Sequence, residues 1–111
     1  MSEIVVVAMM KAQPGKEDEV AQALRDLIEP SHGDPGCIFY ALHRGADDPS
    51  RFVFVERWAS REDLQGHNGT PHVGALLERA GDLLAGAPDI AIYDALPAGD
   101  ERKGSLAGAA A

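Results

Sequence analysis

The chain has 111 residues, 45% hydrophobic and 25% charged, which is enough apolar material for one core and too little for a second. Lys and Arg total 10 and Asp and Glu 18, so a formal net charge of −8 argues against nucleic acid and anionic lipid as main partners, because phosphate binding needs excess cations. The lone Cys37 excludes an internal disulfide, and no apolar run has membrane-spanning length or the form of an export signal, so a cytoplasmic protein with no membrane partner is expected.

Ile4 to Met10 (IVVVAMM) is a β-branched run and predicts the first strand. Pro14-Gly15 ends it, and a helix follows from about Lys16. Glu17, Asp18 and Glu19 cluster at the positive end of its dipole, and Val20, Leu24, Leu27 and Ile28 share one face. Pro30 and then Asp34-Pro35-Gly36 terminate or kink that helix. Ile38 to His43 predicts a second strand and Arg51 to Ala59 a third, joined as a hairpin by the turn residues Arg44 to Ser50. Ser60, with Asp63 three positions on, caps a short helix that breaks near Asn68-Gly69. Thr70-Pro71 opens the second main helix, whose stripe is Val73, Leu76, Leu77, Ala80 and Leu84. Gly86 to Pro88 closes it, and Ile90 to Leu96 is the last strand. Residues 97–111 are Gly, Ala and polar without an apolar period, which predicts a flexible tail behind a 1–96 domain. The order β-α-β-β-α-β predicts an α+β, ferredoxin-like sandwich with a four-stranded antiparallel sheet.

Two main helices cover one face of such a sheet, yet these strands are apolar on both. Phe52 and Phe54 point one way, Val53 and Val55 the other, and the first strand has no polar side. A homodimer that buries the second face answers this; the alternative is a monomer with a greasy, aggregation-prone sheet.

The two-residue strand period puts Phe54, Glu56 and Trp58 on one face. A carboxylate in that setting needs a partner, and the Trp58 indole N–H needs an acceptor. Leu64 and His67 share a face of the short helix, so an inward Leu64 brings His67 toward Glu56 and Trp58. A Glu–His pair in an apolar pocket is a general acid/base candidate, and it is equally a structural pin between helix and strand. His72, in the first turn of the next helix, should favour its neutral ring. His43 is a third candidate, or simply a solvated strand end. Trp58 reads as a core residue more than as a substrate platform, and Cys37 reads as an inert buried thiol. His67 and His72 stand five apart across a helix break, which is not the paired spacing of helical metal ligands, so no metal is expected.

Taken together, Glu56-Arg57-Trp58-Ala59-Ser60, Leu64, His67 and Thr70-Pro71-His72 resemble the signature of the antibiotic-biosynthesis monooxygenase (ABM) family. Pro35-Gly36-Cys37, Tyr40-Ala41-Leu42-His43-Arg44 and Asp48-Pro49 fit the same pattern, so the resemblance runs over nearly the whole chain to Leu96. It implies a dimeric α+β barrel of two ferredoxin-like protomers joined sheet to sheet, with a pocket between helices and sheet in each. Members similar to this chain include cofactor-independent oxygenases that turn quinols or polycyclic phenols into quinones, isomerases of a phospho-sugar, and haem-degrading enzymes, so the fold does not fix the reaction. The haem branch pairs a first-strand Asn with a Trp on the short helix and a His on the next. Val5, Val6 and Val7, His67, and Leu76 with Leu77 stand at those places here, and haem degradation is set aside.

The resemblance therefore implies a homodimeric quinol or phenol monooxygenase using dioxygen, a small aromatic substrate and no cofactor. In it His67 would be the base, Glu56 its orienter and His72 a hydrogen-bond partner for a substrate oxygen. Trp58, Phe54, Tyr40 and His43 would contact substrate, although Tyr40 could equally face the dimer. The alternatives are an acid/base isomerase of a small carbonyl or sugar-like metabolite, which should show clustered Arg/Lys, and a non-catalytic dimeric ligand-binding module.

Overall fold

A computed structural model describes residues 3–106. In chain order the elements are β1 (Ile4–Lys11), α1 (Glu17–Arg25), α2 (Ile28–His32), β2 (Cys37–Arg44), β3 (Arg51–Trp58), α3 (Arg61–Asn68), α4 (Pro71–Leu83) and β4 (Asp89–Asp94). They form one four-stranded sheet in the order β2-β3-β1-β4, every neighbour antiparallel, which is the ferredoxin-like arrangement. No helix among the described residues is long and apolar enough to cross a membrane.

Strand alternation sets the core. Ile4, Val6, Ala8 and Met10 of β1 and Phe52, Phe54 and Trp58 of β3 face the helices. They pack there with Val20 and Leu24 of α1, Leu27 and Leu64. On the other face, Val7, Val53 and Val55 stay partly exposed and Met9 and Tyr93 are exposed, because no described element crosses it.

The first helix departs from the expected single rod. α1 stops at Arg25, and Pro30, expected as a terminator, lies in the first turn of the separate α2. A proline there gives up an N–H that no helix bond would use. The α4 stripe also differs: Leu77 is 56% exposed, while Leu83 and Leu84 are buried and Leu76 and Ala80 are packed against the core. Both helix caps match the reading. Ser60 Oγ accepts from Asp63 N at 3.1 Å and Thr70 Oγ1 from Val73 N at 3.4 Å. Of the expected tail, residues 97–106 include a turn in which Asp100 Oδ1 accepts from the backbone N–H groups of Arg102 and Lys103, at 2.8 and 3.1 Å. Residues 107–111 lie outside the described residues.

Gly36 is the turn on which the site depends. Its φ is +80°, and a Cβ there would overlap the Asp63 carboxylate, which itself accepts the Ser60 hydroxyl. Gly36→Ala is expected to cost about 2 kcal/mol or more, combining left-handed strain with displacement of the α3 cap. Urea melts check this, and the penalty should shrink but not vanish in an Asp63→Ala background, where only the strain remains.

Candidate active site

Three segments distant in sequence converge beside the end of β3. The loop after α2 carries Asp34, the last turn of α3 carries His67, and the first turn of α4 carries His72. The loop is held in place where Ala59 N donates to Gly36 O at 2.9 Å. Asp34 Oδ2 lies 2.8 Å from His67 Nδ1 and 2.9 Å from His72 Nε2. Burial alone would raise the Asp34 carboxyl, but the hydrogen bonds from both imidazoles outweigh it and hold the group below its ordinary value. Burial lowers the His67 imidazole in spite of Asp34.

An ionised carboxylate only accepts hydrogen bonds, so both rings must donate to it. That fixes two tautomers: His67 is protonated on Nδ1 and His72 on Nε2. In the neutral form of each ring the remaining nitrogen, His67 Nε2 or His72 Nδ1, is the one that can accept a proton.

Aromatic side chains build the wall behind His67. Its ring centroid is 4.6 Å from Trp58 and 5.2 Å from Tyr40, and Tyr40 stacks on Phe54 at 4.4 Å. Tyr40 is buried on this helix side rather than on the open face of the sheet. Glu56 is buried here too, and its Oε1 accepts the Trp58 indole N–H at 2.9 Å. Burial, only partly offset by that bond, pushes its carboxyl up to about 7.

The expected Glu56–His67 pair is therefore not formed. The indole reaches back along its own strand face to Glu56, and the imidazole is taken by Asp34. Sequence reasoning missed Asp34 because Asp-Pro-Gly reads fully as a turn, and nothing in spacing links position 34 to 67. His43 is exposed and pairs across the sheet with Val53, on the face away from the helices, so it does not join the site. Cys37 is half-buried against the core, with its thiol raised by burial.

A cleft of about 190 Å³ between α1 and α4 reaches the cluster at His72; Ala23, Leu27, Leu76, Asp26 and Arg79 also line it. Trp58 and Tyr40 pack against His67 itself, and Phe54 backs Tyr40. A larger cleft of about 740 Å³ lies at the other end of the sheet, among Met10, Lys11, Arg44, Asp48 and Arg51, and holds none of the candidate residues.

Comparison with known proteins agrees with this architecture. A family model described as antibiotic biosynthesis monooxygenase matches residues 3–79. An uncharacterized protein of Synechocystis is 37% identical over 90 residues, covering 81% of this chain and 61% of that protein, so the chain spans under two thirds of that relative. Among solved structures, PA3566 from Pseudomonas aeruginosa is similar with a TM-score of 0.82 at 27% identity, covering 86% of this chain and 96% of that one. Rv0793 from Mycobacterium tuberculosis gives a TM-score of 0.79 at 27% identity, covering 89% and 98%.

Proposed function

This chain belongs to the antibiotic biosynthesis monooxygenase family, and on that premise we propose that it oxidises a small aromatic quinol or phenol to a quinone with dioxygen. In this reading it needs no bound cofactor and works as a cytoplasmic homodimer. The observation that carries the reading is the Asp34 carboxylate holding two imidazoles, one of which lines a cleft. His72 Nδ1 takes the phenolic proton, and Asp34 fixes the ring that receives it. The orienting role expected of Glu56 falls to Asp34, and His67 braces the carboxylate from the buried side.

Deprotonation makes an electron-rich phenolate that can pass an electron to dioxygen without metal or flavin. For a phenol, one oxygen atom enters the ring as the second carbonyl and the other leaves as water. For a quinol, two electrons and two protons pass to dioxygen, giving hydrogen peroxide. The protein contributes a base, orientation and a water-poor setting. The cleft at His72 offers a single cation, Arg79, with Asp26 beside it, which disfavours a phospho-sugar substrate.

Oxygen uptake with menadiol, corrected for autoxidation, should exceed buffer and should fall by roughly 100-fold or more in His72→Ala. No excess over buffer, or full activity in that variant, contradicts the reading.

The homodimer is supported by the open sheet face. Arg57 on that face is buried and ion-paired with Glu3, yet its Nε and Nη1 have no partner among the described residues. A second sheet packed on Val5, Val53 and Val55 would cover the apolar surface and bring acceptors to that guanidinium. Light scattering should give twice the chain mass at low micromolar concentration, and Val55→Glu should halve it. A single-chain mass for the unaltered protein contradicts the assembly.

A further inference from the structure

We propose that Asp34, His67 and His72 form a site for one divalent d-block cation of the zinc class. Asp34 Oδ2, His67 Nδ1 and His72 Nε2 all lie within 4.8 Å of one another, and the two nitrogens converge on the same oxygen at 2.8 and 2.9 Å. Zinc bonds of about 2.0–2.2 Å set tetrahedral donors roughly 3.3 Å apart, so each imidazole nitrogen needs to move back from the Asp34 oxygen by about half an ångström to admit an ion. Two neutral imidazoles and one carboxylate suit zinc, nickel, copper or iron, and do not suit magnesium or calcium, which prefer oxygen donors.

The surroundings favour a defined site. His67 is wedged against Trp58 and Tyr40, Thr70 Oγ1 donates to the His67 carbonyl at 2.7 Å, and the Asp34 loop is anchored to Ala59. His72 is less buried than His67 and lines the α1–α4 cleft, which gives an ion a way in and a direction for its remaining water ligands.

Occupancy has a chemical consequence. An ion bound to His67 Nδ1 and His72 Nε2 moves each ring proton to the other nitrogen, so His67 Nε2 and His72 Nδ1 cease to be free bases. Metal binding and proton abstraction at this cluster are mutually exclusive. That consequence rests on the oxygenase reading; the binding itself does not.

The test is calorimetric titration of the chelator-stripped full chain with zinc chloride, without quinol, together with the visible spectrum after addition of cobalt(II). One equivalent should bind, and cobalt should develop the intense bands of a low-coordinate site at the same stoichiometry. His72→Ala and Asp34→Asn should each weaken zinc binding at least tenfold, while His43→Ala, on the opposite face, should leave it unchanged. Absence of stoichiometric binding, a cobalt spectrum like that of the aqueous ion, or loss in His43→Ala with retention in His72→Ala overturns the site. The wild-type calorimetry and spectrum decide the matter even if a variant fails to fold. Zinc should also stop quinol-dependent oxygen uptake. A protein that binds zinc but oxidises no quinol would remove the oxygenase reading and leave the site standing.

Discussion

Replacing Asp34 with alanine is expected to lower kcat on a menadiol-type substrate by roughly 10²–10⁴-fold, the range over which positioned acid–base groups act. One carboxylate oxygen serves both His67 Nδ1 and His72 Nε2. Its loss frees His72 to sample both tautomers and strips the buried His67 N–H of its acceptor. The second effect should also destabilise the fold by about 1–3 kcal/mol, the usual cost of a buried polar group left unpaired. Asparagine at the same position keeps an acceptor oxygen without the charge, so Asp34→Asn should fall between wild type and alanine in both readouts. Steady-state oxygen uptake and urea melts on the same samples separate the two effects. Wild-type turnover in Asp34→Ala would show that the bridge is only structural.

Glu56→Gln is expected to reshape the dependence of stability on pH. The Glu56 carboxyl stands at about 7 in the folded chain against an ordinary 4.5, because burial penalises its charge. The folded state therefore binds this proton more tightly than the unfolded state. The associated stability is fully present below the ordinary value and is lost as pH rises through the folded value, by about 3 kcal/mol in total. Tyr40 and Cys37 face Glu56, but burial and the Glu56 charge raise both, which keeps them protonated through this window. His67 and Asp34 on the neighbouring elements are shifted downward instead. Glutamine retains an acceptor for the Trp58 indole and removes the ionisation. The variant should match wild type near pH ~3.5, below the ordinary value, and exceed it by up to about 3 kcal/mol near pH ~8.5. Parallel profiles for the two proteins would place the charge of Glu56 in contact with solvent.

Local chemistry was legible in the sequence, and long-range convergence was not. The β-branched run of β1 and the alternation of Phe52, Phe54, Glu56 and Trp58 locate strands and faces, because a strand's two-residue period is carried by adjacent residues. Ser60 and Thr70-Pro71 announce helix starts for the same reason: cap and capped N–H are three positions apart. The need of Glu56 and Trp58 for partners was also visible, and they satisfy each other across two residues. Asp34 escaped notice because its role depends on a loop laid over α3 and α4, 33 and 38 positions away. The exposure of Leu77 was illegible for a related reason, since periodicity gives the apolar stripe of α4 but not how much of that stripe the rest of the fold covers.

The proposed chemistry requires a carboxylate that locks two imidazoles in opposite tautomers. Long-range ¹H–¹⁵N correlation of the histidine rings, recorded on metal-free protein at neutral pH, reads those tautomers directly. The prediction is a His67 proton on Nδ1 and a His72 proton on Nε2, with both patterns lost in Asp34→Ala. Rings that average between tautomers in the unaltered protein, as solvated imidazoles do, would contradict it.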